Sequence, residues 1–341
     1  MGKAPAKGSK RSSPGRVPVV LMGLGSIGQE IGRAALLSDD LDLIGAVDSN
    51  RSLVGRPLSD ILQAPTAHGI VENRVEAFAS KARGGVLLHA TGPRLPLVFE
   101  QLKAAVTTGF SVVSTCEELA FPYLKHASLA ASLDNAARGK NVSIVGTGVN
   151  PGFVLDRLVA TVAQVAGRVR KIVATRTVDA RSRRVALQRR IGAGLTEDEF
   201  LRLVDAEQLG HIGLVESAAL AALGAGLDCD DFEEEISPVL ATERIEGGAF
   251  PVQKGQVAGI SQIARGTLEG EEVVRLELVI ANGAEETGDR IVIDADVPID
   301  LRIPSGIAGD RATANLVVNA APRLATAESG LLTVLDLPAG R

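Results

Sequence analysis

From residue 17 onward the chain alternates between two hydrophobic periods. Short continuous apolar runs at 17–22, 42–48, 86–90, 110–115 and 141–146 have the length and the Val/Ile/Leu content of strands buried on both faces. Between them, residues 26–37, 96–108 and about 122–137 space their apolar positions three and four apart and predict helices, while 50–62 predicts a loop and a short helix. In 96–108 the apolar face is Leu97, Val98, Leu102, Ala105 and Val106, and Gly109 closes it as a C-terminal cap. Strands joined by helical crossovers predict an α/β fold, a Rossmann-type doubly wound parallel sheet.

The rhythm changes after Gly152. A helix over about 153–164 leads to an extended segment at 170–179 and a basic helical segment at 181–190. Thr196 and Glu199 form a capping box for a helix over 197–206, and a small-residue helix covers about 212–224. Extended segments at 233–244, 254–266, 272–280 and 290–297 then follow one another, which predicts a second, α+β domain built on a mixed or antiparallel sheet. Residues 312–320 read as a helix and 330–334 as a short closing segment, both returning to the first domain. The expected division is therefore a tail over 1–16, a first domain over 17–150 completed by about 308–341, and a second domain over 151–307.

The first apolar run breaks at Gly23-x-Gly25-x-x-Gly28, and Asp48 ends the next run 20 positions after the third glycine. This is the dinucleotide-binding fingerprint. Gly23 permits the strand-to-helix turn, Gly25 leaves room for a pyrophosphate, and Gly28 lets the helix approach the strand. The free N–H groups of the helix opening at Ser26 and Ile27 are the anion site. In a doubly wound sheet the ligand lies beyond the carboxyl ends of the strands. That edge collects His89–Gly92, Thr115–Glu118 and Thr147–Asn150, with Ala90, Thr91 and Thr115 as further cofactor contacts. Asp48 favours the ribose hydroxyls of NAD, whereas Asn50 and Arg51 in the following loop offer partners to the 2′-phosphate of NADP, so the expected cofactor is NAD or NADP.

Composition narrows the class. With 36 basic and 41 acidic residues the formal charge is −5, which implies no nucleic-acid or anionic-membrane affinity. No run of 18 apolar residues is present, and the basic segment 1–16 lacks the apolar core of a signal peptide, so a disordered tail and a cytoplasmic location are expected. Cys116 and Cys229 are the two cysteines, and the four histidines lack ligand spacing, which argues against a metal site.

The succession GLGSIG, VDSN, HATG, STCEEL, GTGVNPGFVLD, RTVDA, GHIGLVES, GQVAGISQ and GDRATANLVVNAAPR resembles the 2,4-diaminopentanoate dehydrogenases and related bacterial amine dehydrogenases, whose N-terminal domain is similar to that of dihydrodipicolinate reductase. The resemblance runs from about residue 18 to 338. It implies a homodimer with a substrate-binding and dimerisation domain. The implied reaction interconverts a primary amine with a ketone plus ammonia. The paired-histidine motif of dihydrodipicolinate reductase itself is missing, since the region after Pro151 holds only His211. A different NAD(P)-dependent reductase on the same scaffold and a non-catalytic NAD(P)-binding regulator are the competing readings.

The resemblance places the catalytic glutamate in STCEEL, at Glu117 or, in reserve, Glu118; one of the pair could equally cap a helix. Asn150 is either a turn residue before Pro151 or an amide contact to nicotinamide or substrate. Arg176, on the inner face of a strand, needs an anionic partner, either a substrate carboxylate or a structural acid such as Asp179. Thr313 either lines the cofactor side or caps its helix. Phe153 and Phe121 are the aromatic residues available to a substrate pocket, and Ser261 stands where relatives are expected to carry histidine. The arginines at 181, 183, 184, 189 and 190 read as a solvated helix face or an intersubunit surface.

Overall fold

The computed structural model describes residues 15–338 and 340, so the expected tail falls almost wholly outside the described residues. Two sheets organise it. The first holds seven parallel strands: β1 (Val17–Met22), β2 (Leu41–Val47), β3 (Val71–Glu72), β4 (Val86–His89), β5 (Ser111–Ser114), β6 (Ser143–Gly146) and β13 (Gly330–Leu332), in the order β13-β6-β5-β4-β1-β2-β3. Around it pack α1 (Ser26–Leu36), α2 (Leu58–Leu62), α3 (Leu95–Thr108) and α4 (Ala127–Lys140). The strand order reverses between β1 and β4, which opens a crevice at their carboxyl ends.

Local chemistry explains the helix limits. Pro96 sits in the first turn of α3, where its missing N–H costs nothing, and Gly109 ends the helix at φ +105. The helix expected over 122–137 begins instead at Ala127. Before it, Glu117–Ala120 form a single 3₁₀ turn directly after β5.

The second sheet is mixed. Its strands are β7 (Val169–Asp179), β8 (Asp231–Leu240), β9 (Val257–Leu268), β10 (Glu271–Ala281), β11 (Gly288–Ala295) and β12 (Ile299–Pro304), in the order β12-β11-β7-β10-β9-β8. Only β7 and β10 run parallel; every other neighbouring pair is antiparallel. Helices α5 (Arg157–Ala163), α6 (Val185–Arg190), α7 (Glu197–Asp205) and α8 (Leu214–Ala225) belong to this half, and α7 carries the expected Thr196–Glu199 capping box. The largely apolar, Ala-rich α8 is buried along most of its length, and carries buried Glu216 and Ser217 in its first turn. Strand β12 has no counterpart among the expected elements, because its apolar positions alternate with charged ones at a sheet edge.

Helix α9 (Gly309–Leu324) lies against α1, and its Ala314, Val317 and Ala321 share a core with Val19 and Leu21 of β1. The chain thus crosses between the halves twice, after Gly146 and before Gly309. Within the second half, Arg176 of β7 and Asp289 of β11 are register partners and form a buried ion pair at 2.8 Å. Removing one partner strands a buried charge, so Asp289→Ala should cost about 3–5 kcal/mol. Urea unfolding of the variant tests this, and a loss below about 1 kcal/mol would show that the pair is not a structural anchor.

Candidate active site

A cleft of about 540 Å³ lies where the carboxyl ends of the first sheet face β7, α6 and the loop before α9. Its first-domain wall follows from the glycines. Gly23 adopts φ +92, and a Cβ there would lie 2.6 Å from the Ala90 carbonyl oxygen; a Cβ on Gly28 would lie 1.8 Å from the Gly23 oxygen. Gly25 has nothing within 4 Å of a Cβ, so the space above the N-terminus of α1 is open. Asp48 sits at the end of β2 with Oδ2 accepting from Leu24 N at 2.7 Å and Oδ1 from Asn50 N at 2.8 Å. Each oxygen keeps a lone pair for a ribose hydroxyl. Open space at Gly25, an uncapped helix end and an oriented carboxylate fit a dinucleotide.

Of the residues singled out in the sequence, the cleft lining includes Gly25, Ser26, Ile27, Ala90, Thr91 and Thr115, and also Glu117, Asn150, Arg176 and Thr313. Gly23 and Gly28 shape the turn behind it, and Asp48, Asn50 and Arg51 stand to one side, at the end of β2. Phe153 and Phe121 do not line it. Phe153 packs into the second-domain core and Phe121 packs edge-on against Tyr123, because both rings find apolar contacts away from the cleft. Its apolar lining, among the described residues, is aliphatic, including Ile27, Leu187, Leu278 and Ile307. Ser261 lies outside the lining, on β9.

The two adjacent glutamates part company. Glu118 is buried with Oε2 accepting from Leu95 N at 2.7 Å and paired with His126 Nε2 at 2.9 Å, so it caps the start of α3. Glu117 turns into the cleft, its Oε1 3.9 Å from Arg190 Nη1 of α6. Burial raises its carboxyl from 4.5 to about 7, outweighing the stabilising charges of Arg190 and Arg184.

Facing Glu117, Asn150 donates from Nδ2 to His211 Nε2 at 3.2 Å, while its Oδ1 is buried with no partner among the described residues. His211 is pushed down to about 3 by burial and by Arg190 and Arg176, so it is a neutral acceptor. Gln262 holds it by accepting from His211 N and donating to His211 O. The turn after Asn150 is pinned by buried Asp156, which accepts from Gly152 N and Ser217 Oγ. Thr313 Oγ1 accepts from Val149 N at 3.1 Å, which ties α9 to the same turn.

Arg176 lines the cleft, yet its charge is committed to Asp289 and its Nη2 donates to the Ile307 oxygen. Asp179, one of the partners open to it in the sequence, pairs with Arg181 instead. The basic segment is likewise no uniform solvated face. Arg183 and Arg184 reach Asp310, Arg189 lies over the Phe250 ring, and Arg190 enters the site. His211 and Arg190 were not among the expected site residues; the block GHIGL was the available signal for the first.

The 2,4-diaminopentanoate dehydrogenase C-terminal domain matches residues 153–341, more than half of the sequence. The chain belongs to that family. It is 26% identical to the 2,4-diaminopentanoate dehydrogenase of Acetoanaerobium sticklandii over 334 residues, covering 96% of this chain and 94% of that protein. Over a shorter stretch, 134 residues and 38% of this chain, it is 28% identical to the 4-hydroxy-tetrahydrodipicolinate reductase of Cyanothece sp., covering 47% of that protein. An amine dehydrogenase structure from Mycobacterium smegmatis shares the fold at a TM-score of 0.83 and 21% identity, over 95% of this chain and 97% of that one. Among the described residues no helix is long and apolar enough to cross a membrane, and no group of three or more His, Cys, Asp or Glu is placed to hold a metal.

The raised carboxyl has a consequence for stability. The folded protein keeps on Glu117 a proton that the unfolded chain releases near pH 4.5, so stability falls between 4.5 and about 7. Glu117→Gln removes that loss. Its Tm should exceed the wild type's by a margin that grows over this window and levels off above it. Melts at three pH values check the trend, and a margin independent of pH would contradict it.

Proposed function

We propose that the protein is an NAD(P)-dependent amine dehydrogenase, acting on a primary amine at a secondary carbon and returning a ketone and ammonia. The observation that carries the reading is Glu117: a single carboxylate with a raised pKa, in the cleft between the dinucleotide turn and the second domain. Family membership and the relative from Acetoanaerobium sticklandii support the CH–NH₂ donor.

In the deaminating direction an ammonium, NAD(P)⁺ and water give ketone, NH₄⁺, NAD(P)H and a proton. The nicotinamide, when bound, supplies the acceptor for the hydride leaving carbon. Everything else falls to the chain. The Glu117 carboxylate takes a proton from the ammonium so that the nitrogen lone pair is free, and releases it to solvent before water adds. It then takes a proton from the water adding to the iminium carbon and returns it to the carbinolamine nitrogen, which leaves as ammonia while the hydroxyl proton passes back to the carboxylate and on to that ammonia. Arg190 holds the carboxylate in place. The unpaired Asn150 Oδ1 accepts an N–H, from substrate amine or from the nicotinamide carboxamide, and neutral His211 fixes the orientation of that amide. The aliphatic lining excludes water and suits a small or aliphatic amine.

Gly25, Ser26 and Ile27 receive the pyrophosphate, with Ala90, Thr91 and Thr115 along the remainder of the cofactor. Asp48 faces the ribose. In this reading Arg51, in the loop after Asp48, meets a 2′-phosphate, so Arg51→Ala should lower kcat/KM for NADPH by about 10-fold or more while sparing NADH. An unchanged NADPH/NADH ratio would remove Arg51 from that role.

The protein works as a homodimer in this reading. The face of the second sheet opposite its core carries half-buried Val173, Ile263 and Val279 among Arg265, Arg275 and Glu277, a surface suited to a second copy. The cytoplasm is the proposed location, where free Cys116 and Cys229 stay reduced.

The deciding experiment supplies purified protein with NADH or NADPH, a ketone panel and high ammonium. Cofactor oxidation should require both ketone and ammonium, and Glu117→Gln should lower it about 10²-fold or more with cofactor affinity kept. Ketone-dependent oxidation without ammonium would point to another reductase, and tight binding without turnover to a regulator.

A further inference from the structure

Three charges meet at the N-terminus of α1. Arg184, the residue before α6, donates from Nη1 to Ser26 Oγ at 2.9 Å. Its Nε lies 3.0 Å from Asp310 Oδ2, and Arg183 Nη2 lies 3.1 Å from Asp310 Oδ1. Two guanidinium groups thus share one carboxylate. They do so against the positive end of a helix that has no side-chain cap and no acid in its first turn. Asp310 balances one of the two cations, and the other remains at a helix end that favours an anion. The space for one exists, since Gly25 has nothing within 4 Å of a Cβ and the cleft lining runs from Gly25 and Ser26 to Arg184 and Asp310. The two arginines belong to the second half of the chain, whereas Ser26 and Asp310 sit on helices of the first.

We propose that Arg184 is the second-domain ligand of the cofactor's diphosphate, exchanging its contacts with Ser26 and Asp310 for the phosphate oxygens and so tying the substrate half to the dinucleotide. This rests on the NAD(P) reading of the cleft and adds the residue that couples its two walls. The device is α6. Arg184 stands at one end, and Arg190, at the other, holds Glu117 at 3.9 Å. A helix of this length spans about 9 Å. Diphosphate captured at Arg184 therefore anchors the helix whose other end carries the Arg190–Glu117 contact.

The test is calorimetric binding of NAD⁺, NADP⁺ and ADP-ribose, the last carrying the diphosphate without nicotinamide. Arg184→Ala should weaken all three about 10- to 100-fold, Arg184→Lys should recover part of the loss, and Arg181→Ala, beside it on the surface, should bind as the wild type does. Without ligand the Tm of Arg184→Ala should fall only slightly, since the lost contacts are partly exposed, whereas the ligand-induced rise should shrink markedly. Wild-type binding with Arg184→Ala within about twofold would overturn this inference and leave the cofactor reading standing. Failure of the wild type to bind any of the three would overturn the cofactor reading, and the inference with it.

Discussion

Desolvation of one carboxylate sets the terms for the rest of the cleft. Glu117 leaves the sheet on the 3₁₀ turn after β5 and meets a wall supplied by the other half of the chain. Water would hold its carboxyl near 4.5; desolvation in the cleft raises it to about 7. A group poised there can both accept and return a proton at neutral pH, which a surface glutamate does poorly. The cationic Arg190 keeps the shift from going further, so the carboxylate form stays within reach.

The surrounding polar groups are arranged so that few of them compete for that proton. Burial and two arginines keep His211 neutral. Asp289 absorbs the charge of Arg176, so the arginine shapes the cleft wall without presenting a free cation to the substrate. Glu118, one residue along, is spent on the N-terminus of α3. Asp179 and Asp310 on the same lining are paired with arginines, which leaves Glu117 with Arg190 and one amide oxygen that has no partner among the described residues. That is a sparse chemical set for a site of this volume, and it fits a reaction in which the cofactor carries the redox step and the protein positions groups and moves protons.

The first sheet was largely legible because its signals are local. Gly23, Gly25 and Gly28 lie within six residues, Asp48 closes the next strand, and Pro96 and Gly109 mark the limits of α3. The edge formed by Ala90, Thr91, Thr115 and Glu117 followed from a topological rule. The second half was harder to read because its decisive contacts are distant in sequence. The partner of Arg176 lies 113 residues away, across a β7–β11 register that no periodicity encodes. The arginines of 181–190 look like a solvated face by composition, and their targets, Ser26, Glu117 and Asp310, become visible only once the segment folds over the cleft. Phe153 followed its apolar character into the core, and Asp156, buried beneath the same turn, carries no local mark of its role.

The claim on which this account turns is that Glu117 is the group whose ionisation permits deamination. The direct measurement is the single-turnover rate of NAD(P)⁺ reduction by saturating amine as a function of pH, in the wild type and in Glu117→Gln. The account predicts a wild-type rate that rises with pH through about 7, as the carboxylate forms, and a much slower variant in which this limb has vanished. The same limb persisting in the variant, or a wild-type profile flat across that range, would contradict it.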